Sequence, residues 1–171
     1  MGFHDELLDA ARGILRPDSG RSPSAAVLRR GVSTAYYAVF HLLIHEAMAR
    51  IILDPEIRAD LGRAINHELT RKICQQYADA EEKGGRLTLR LGEEIPERLR
   101  DFGSTFVRLI EARHRADYDP RPEQDFSPVL AEALLTLAET AFADWHVIQD
   151  EPATLKFLTR IFLESLTRRK G

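Results

Sequence analysis

The chain has 171 residues, and its 24 basic and 27 acidic side chains give a formal net charge of −3 at pH 7. This length fits one domain with a core that needs no disulfide or metal, so we predict a single domain over 1–171. The slightly acidic balance argues against nucleic-acid binding through bulk charge and leaves room only for a local basic patch. Cys74 is the single cysteine, which suits a reducing compartment. The sequence has no apolar signal core and no stretch of roughly 20 apolar residues, so we expect a cytoplasmic protein without a membrane partner.

Proline placement divides the chain into helical segments. Apolar residues recur at three- and four-residue spacing after each of five prolines: Pro23, Pro55, Pro96, Pro128 and Pro152. Proline is favoured at the first position of a helix, and a preceding Ser or Asp can cap the free amides there. The patterns predict six helices, at about 3–15, 24–52, 55–78 (bent near Gly62), 96–117, 128–148 and 152–168. Residues 79–93 are predicted to be a loop or a short extended piece.

These segments predict an all-α fold, an up-and-down bundle of four to six helices. The second helix has an apolar stripe that is too wide to pack against only one neighbour. Its members are Leu28, Val32, Ala35, Tyr36, Val39, Phe40, Leu43, Ile44 and Ala47. We expect this surface to exceed what one bundle buries, and the width of the stripe therefore predicts a homodimer.

Two segments concentrate residues that can do chemistry: 28–41 (LRRGVSTAYYAVFH) and 111–120 (EARHRADYDP). Together, and in this order on long helices, they resemble the HEPN superfamily, in particular its small stand-alone bacterial members. The resemblance covers about 24–148 and leaves 152–168 as a C-terminal helix. It implies a helical bundle that dimerises, so that the second segment of each subunit lines a shared cleft. Many relatives are metal-independent endoribonucleases of toxin–antitoxin or RNA-defence systems, often partnered by a minimal nucleotidyltransferase antitoxin.

The catalytic signature of that family is an Arg followed, after four to six residues, by a His, and this chain fits it in two registers. In the first register Arg113 is the Arg, His114 is the polar residue after it, and Tyr118 stands where the family has His. In the second register Arg108 and His114 form the pair, but the apolar Leu109 follows the Arg. We favour the first register, because the residues up to the end of the helix fit it better.

Cleavage of RNA by its own 2′-oxygen needs a cation and a proton acceptor with a pKa near neutrality. Arg113 can supply the cation, but a tyrosine, with an ordinary pKa of about 10, is a poor base compared with a histidine at about 6.5. His114 lies on the same helix face as Tyr118 and can act as the base in its place, with Asp117 orienting it. The simpler alternative is an ordinary helix ion pair between Arg113 and Asp117, with Tyr118 packing at the helix end.

Four residues are candidates for contact with RNA or a nucleotide: Arg108, Arg113, Arg115 and Tyr37. Arginine binds phosphate through paired N–H groups, and a tyrosine ring can stack on a base; Tyr36, beside Tyr37, is expected to pack inward instead. His41 and His45 are four residues apart and could share a metal, but no third ligand and no HExxH pattern accompany them. We therefore expect no metal and no cofactor.

The favoured function is a dimer that binds RNA or a nucleotide in an inter-subunit cleft, in a toxin–antitoxin or RNA-defence setting. One alternative is a metal-independent endoribonuclease toxin. Another is a non-enzymatic helical scaffold that binds only protein.

Overall fold

The computed structural model describes residues 2–17, 23–52, 54–80, 95–120 and 126–167. All the regular secondary structure in these ranges is helical, which confirms the predicted all-α class. The helices are α1 (Phe3–Leu15), α2 (Ala25–Ile51), α3 (Pro55–Gly62), α4 (His67–Ala78), α5 (Glu97–Tyr118), α6 (Pro128–Ile148) and α7 (Pro152–Thr167). Within the described ranges, none of these helices combines the length and the apolar character needed to cross a bilayer.

The helix predicted over 55–78 is two helices, α3 and α4. Asp54 caps α3, since its carboxylate accepts the backbone N–H of Glu56 at 2.9 Å. Asn66 caps α4 in the same way, accepting the N–H of Leu69 at 3.0 Å. A side chain that caps free amides starts a new helix, so the predicted bend near Gly62 is a full break. Most of the predicted loop over 79–93 lies outside the described residues.

The chain divides into two compact units, and the single domain over 1–171 stays a prediction. The first unit comprises Met1–Leu42 and Arg108–Phe142, and the second comprises Leu43–Val107 and Ala143–Gly171. Helices α2, α5 and α6 each contribute residues to both units. All the candidate site residues named above, apart from His45, belong to the first unit.

In the first unit, α1 packs closely on α2 and is tied to α6 by charge. A Cβ added to Gly31 of α2 would lie 2.4 Å from Cδ2 of Leu15, so a larger residue there would push α1 away. Arg16 donates to both carboxylate oxygens of Glu139 on α6, at 2.8 and 3.0 Å, and Arg12 adds a third bond to Glu139 at 2.7 Å. The hydrogen bond from Arg16, followed by that from Arg12, lowers the pKa of the Glu139 carboxyl. These contacts fix the α1–α6 pairing.

Most of the apolar stripe of α2 is buried within the chain itself. Residues 31–36 and 38–40 are all buried, and Val32, Ala35, Tyr36 and Val39 have no exposed surface. The expected inward packing of Tyr36 is confirmed. The stripe therefore leaves no excess surface in this stretch for a second copy to cover. The width of the stripe no longer supports a dimer, and the homodimer stays a prediction that rests on the resemblance alone.

The second unit has an aromatic core. Phe102 of α5 lies 4.9 Å from Trp145, and Tyr77 of α4 meets Phe157 of α7 at 4.8 Å, ring centroid to ring centroid. A Cβ on Gly103 would lie 2.7 Å from the carbonyl oxygen of Cys74, so only glycine lets α5 pass this close to the α4 backbone. Cys74 itself is buried and forms no disulfide. Burial raises the pKa of its thiol, which makes it a core residue rather than a nucleophile.

Candidate functional site

Arg113, on the C-terminal part of α5, is the centre of a cluster that spans α5 and α2. Its Nη2 donates a hydrogen bond of 2.8 Å to the hydroxyl oxygen of Tyr37 on α2. Its Nε lies 2.7 Å from Oδ2 of Asp117, one turn further along α5. The Arg113 side chain is 16% exposed and that of Asp117 28% exposed. The guanidinium is thus held in place by two helices while part of it still reaches solvent.

The contact between Arg113 and Asp117 is an ion pair without hydrogen-bond geometry. The Nε–H of Arg113 is buried and has no well-directed acceptor among the described residues. Its attraction to the carboxylate is therefore that of two nearby charges, and an i,i+4 pair of this kind contributes only about 0.3–0.5 kcal/mol. A stronger and better-directed anion could replace Asp117 at small cost.

Two aromatic rings flank the Arg113 guanidinium. Its central carbon lies 5.5 Å from the ring centroid of Tyr37 and 5.3 Å from that of Tyr118, within cation–π range of both. Tyr118 is 71% exposed, so it is not the packing residue that the simpler alternative expected at the helix end. A planar exposed ring beside a half-buried cation is a surface on which a base or another flat group can stack.

Arg113 is charged at neutral pH, as arginines in proteins are. Burial alone would lower its pKa, but the hydrogen bond to Tyr37 and the negative charge that Asp117 carries outweigh burial, and the net effect raises the pKa. Arg113 can therefore serve as a permanent cation and cannot serve as a base.

The other predicted residues of α5 line the exposed side of the helix. Arg108, His114 and Arg115 are all exposed. The ring centroid of His114 lies 6.4 Å from that of Tyr118. Asp117, which the sequence offered as an orienting partner for His114, is instead the ion-pair partner of Arg113. The contact between Arg113 and Tyr118 joins the two residues of the first register.

Arg29 of α2 is a component of this region to which the sequence assigned no role. Its Nη1 donates to two backbone carbonyls at the end of α5, to that of Ala116 at 3.2 Å and to that of Asp119 at 2.8 Å. Its guanidinium carbon also lies 5.8 Å from the ring centroid of Phe126. Arg29 stands in the segment 28–41, but nothing in the pattern distinguishes it from the exposed Arg30 beside it.

His41 and His45 have different surroundings. His41 is half-buried, and its ring meets the ring of Phe3 edge-on at 4.9 Å. Burial lowers the pKa of His41, and the nearby His4 lowers it further. His45 is exposed. In the ranges that the structure describes, no group of three or more His, Cys, Asp or Glu side chains is arranged to hold a metal ion.

Comparison with protein-family models, with curated proteins and with solved structures gives no match to this chain.

Proposed function

We propose that this chain is a HEPN-like dimeric protein that binds RNA or a nucleotide, with the phosphate at Arg113, in a cleft shared by two subunits. The observation that carries the proposal is the half-buried, permanently charged guanidinium of Arg113, oriented by Tyr37 and flanked by the exposed ring of Tyr118. The resemblance of segments 28–41 and 111–120 supplies the setting, a toxin–antitoxin or RNA-defence system in which a minimal nucleotidyltransferase is the partner.

Phosphate is the anion that this arrangement fits best. An arginine whose orientation is fixed loses little side-chain entropy when it binds, and its planar N–H groups match phosphate oxygens. Arg108 and Arg115 add positive charge on the exposed side of the same helix, and such charge attracts a polyanion over a distance. Tyr118 offers a stacking surface next to the phosphate position, which is the combination typical of single-stranded nucleic-acid sites.

Binding is better supported than cleavage. A general base needs a partner that orients it, and Asp117, the carboxylate that the sequence offered for that role, pairs with Arg113 instead. Tyr118 occupies the position at which the family's signature has its histidine. We therefore place cleavage second and treat Arg113, His114 and Tyr118 as a binding cluster, with Asp117 as the ion-pair partner that phosphate displaces.

The test compares Arg113→Ala with Arg98→Ala. Arg98 is another arginine in an ion pair, 2.6 Å from Asp144, but it is exposed and belongs to the second unit. Titration of a labelled single-stranded RNA, followed by fluorescence anisotropy, should show a loss of about 1.5–3 kcal/mol for Arg113→Ala. Arg98→Ala should bind like the unmodified protein. Equal affinity of all three proteins would refute the proposal.

A second test replaces the carboxylates that pair with these two arginines, Asp117 and Asp144. Asp117→Asn releases Arg113 from its ion pair, so RNA should bind about twofold more tightly, as expected for the loss of one weak surface pair. Asp144→Asn changes the net charge by the same amount and should have no such effect. If both variants gain equally, the effect is one of bulk charge and Arg113 is not the ligand.

The dimer is tested separately by multi-angle light scattering at micromolar concentration. We expect the mass of two chains, about twice 19.4 kDa. If the mass is that of one chain and RNA still binds, the phosphate site stands and the shared cleft is wrong.

A further inference from the structure

At the C-terminal end of α5, one backbone carbonyl has no hydrogen-bond donor within the helix. In a helix, the carbonyl of Ala116 would accept the N–H of the residue four positions on, and that residue is Pro120, which has no N–H. The preceding bond is made, since the N–H of Asp119 donates to the carbonyl of Arg115 at 3.1 Å. The helix therefore ends with the Ala116 carbonyl in need of a donor from elsewhere.

Arg29 supplies that donor from α2. Its Nη1 lies 3.2 Å from the carbonyl oxygen of Ala116 and 2.8 Å from that of Asp119. A cation at this point is also favoured by the negative end of the helix dipole. The same guanidinium also contacts the ring of Phe126, the residue before Ser127. Ser127 caps α6, since its hydroxyl accepts the N–H of Leu130 at 3.1 Å.

The two carbonyls that Arg29 holds flank the two α5 residues that contact Arg113. Asp117 and Tyr118 lie between Ala116 and Asp119, so the turn that presents them is fixed at both ends. Without Arg29 this last turn would fray, because exposed helix ends open most readily. Tyr118 would then leave Arg113, and the guanidinium would lose the ring that helps to orient it.

We infer that Arg29 is a positioning residue for the Arg113 site: it replaces the donor that Pro120 lacks and so holds the turn that carries Asp117 and Tyr118. The inference rests on the proposed function, in which Arg113 binds the phosphate of RNA. Arg29 itself does not contact the RNA, and its effect on binding passes through the turn.

The experiment uses Arg29→Gln and Arg29→Lys, with Arg58→Gln as the matched control. Arg58 also donates to a backbone carbonyl near a helix end, but away from the Arg113 site. Its Nε lies 2.6 Å from the carbonyl oxygen of Ile52, just beyond the end of α2. Hydrogen–deuterium exchange measures opening of residues 111–120, and titration with labelled single-stranded RNA measures binding. Arg29→Gln should speed exchange there and weaken RNA binding roughly tenfold, the lower end of the range for a charged hydrogen bond. Arg29→Lys, which keeps the charge and a donor, should recover most of the affinity, and Arg58→Gln should leave RNA binding unchanged.

A double variant shows whether Arg29 acts through the Arg113 site. Adding Arg29→Gln to Arg113→Ala should weaken binding no further, because both changes remove the same interaction. If the losses add, Arg29 contacts RNA directly and the positioning role is wrong. If Arg29→Gln binds RNA normally while Arg113→Ala does not, the inference fails and the proposed function stands. If Arg113→Ala also binds normally, both fail.

Discussion

The hydroxyl of Tyr37 on α2 accepts a 2.8 Å hydrogen bond from Nη2 of Arg113 on α5. This contact joins the two sequence segments, 28–41 and 111–120, that combine most of the chemistry-bearing residues of the chain. It also explains why a helix of mainly buried residues keeps a half-exposed tyrosine. Tyr37 places a polar group where the guanidinium of Arg113 needs an acceptor.

Removing that hydroxyl tests the contact. In Tyr37→Phe the ring stays but the acceptor is lost, so the free energy of unfolding should fall by about 1 kcal/mol, as for one hydrogen bond. Urea denaturation followed by circular dichroism measures the change. Tyr118→Phe removes a hydroxyl from the exposed ring on the other side of Arg113 and should leave stability unchanged. Equal stability of Tyr37→Phe and the unmodified protein would show that the bond contributes nothing.

Tyr118→His tests the catalytic reading of the site. The change introduces an imidazole, which accepts a proton near neutral pH, beside the cation of Arg113. We expect RNA cleavage to appear or to rise at pH 7, and to persist in EDTA because every group involved is a side chain. Gel analysis of a labelled RNA measures it.

Two controls accompany that experiment. Tyr118→Phe should remain inactive, and adding Arg113→Ala to Tyr118→His should abolish any cleavage. Cleavage that requires a divalent ion would point to a metal-dependent site instead. No cleavage by Tyr118→His would mean that the surroundings of residue 118 are not those of a nuclease centre.

The free energy of unfolding should depend on pH in part through the protonation of His41. Its pKa in the folded protein is lowered, first by burial and then by His4, whereas in the unfolded chain it is about 6.5. The unfolded state therefore takes up a proton first as the pH falls, and the stability linked to His41 is present above about pH 6.5 and lost below it.

His41→Gln should flatten that loss. The free energy of unfolding, measured by urea titration from about pH 7.5 to about pH 5, should fall less steeply in this variant than in the unmodified protein. The control is His45→Gln, which alters an exposed histidine of the same helix. If His41→Gln and His45→Gln have the same effect on the slope, the surroundings of His41 are not responsible.

The helical class and most helix bounds could be predicted from proline placement and apolar spacing, because those signals are local. The break between α3 and α4 was also readable in principle, since Asn66 is a typical N-cap, but the apolar pattern continues across it. The burial of α2 could not be predicted, because a wide apolar stripe looks the same whether its own chain or a second copy covers it. Only the folded structure shows that other helices of the same chain cover it.

The site could be predicted in its residues but not in its pairings. Arg113, Asp117 and Tyr118 were all candidates, yet the i,i+4 spacing fits both the pair of Arg113 with Asp117 and the pair of His114 with Tyr118. The role of Arg29 depends on the distance between α2 and the end of α5, and sequence spacing carries no information about that distance. Pro120 indicates that the Ala116 carbonyl lacks its usual donor, but it does not indicate which side chain supplies one.

The salt dependence of RNA binding shows whether Arg113 contacts a phosphate. Each phosphate contact contributes about 0.7 to the slope of log K against log salt concentration for a single strand. We therefore predict that Arg113→Ala lowers the magnitude of this slope by about 0.7, while Arg98→Ala leaves it unchanged. An unchanged slope in Arg113→Ala would show that this arginine does not bind phosphate, and the proposed function would be wrong.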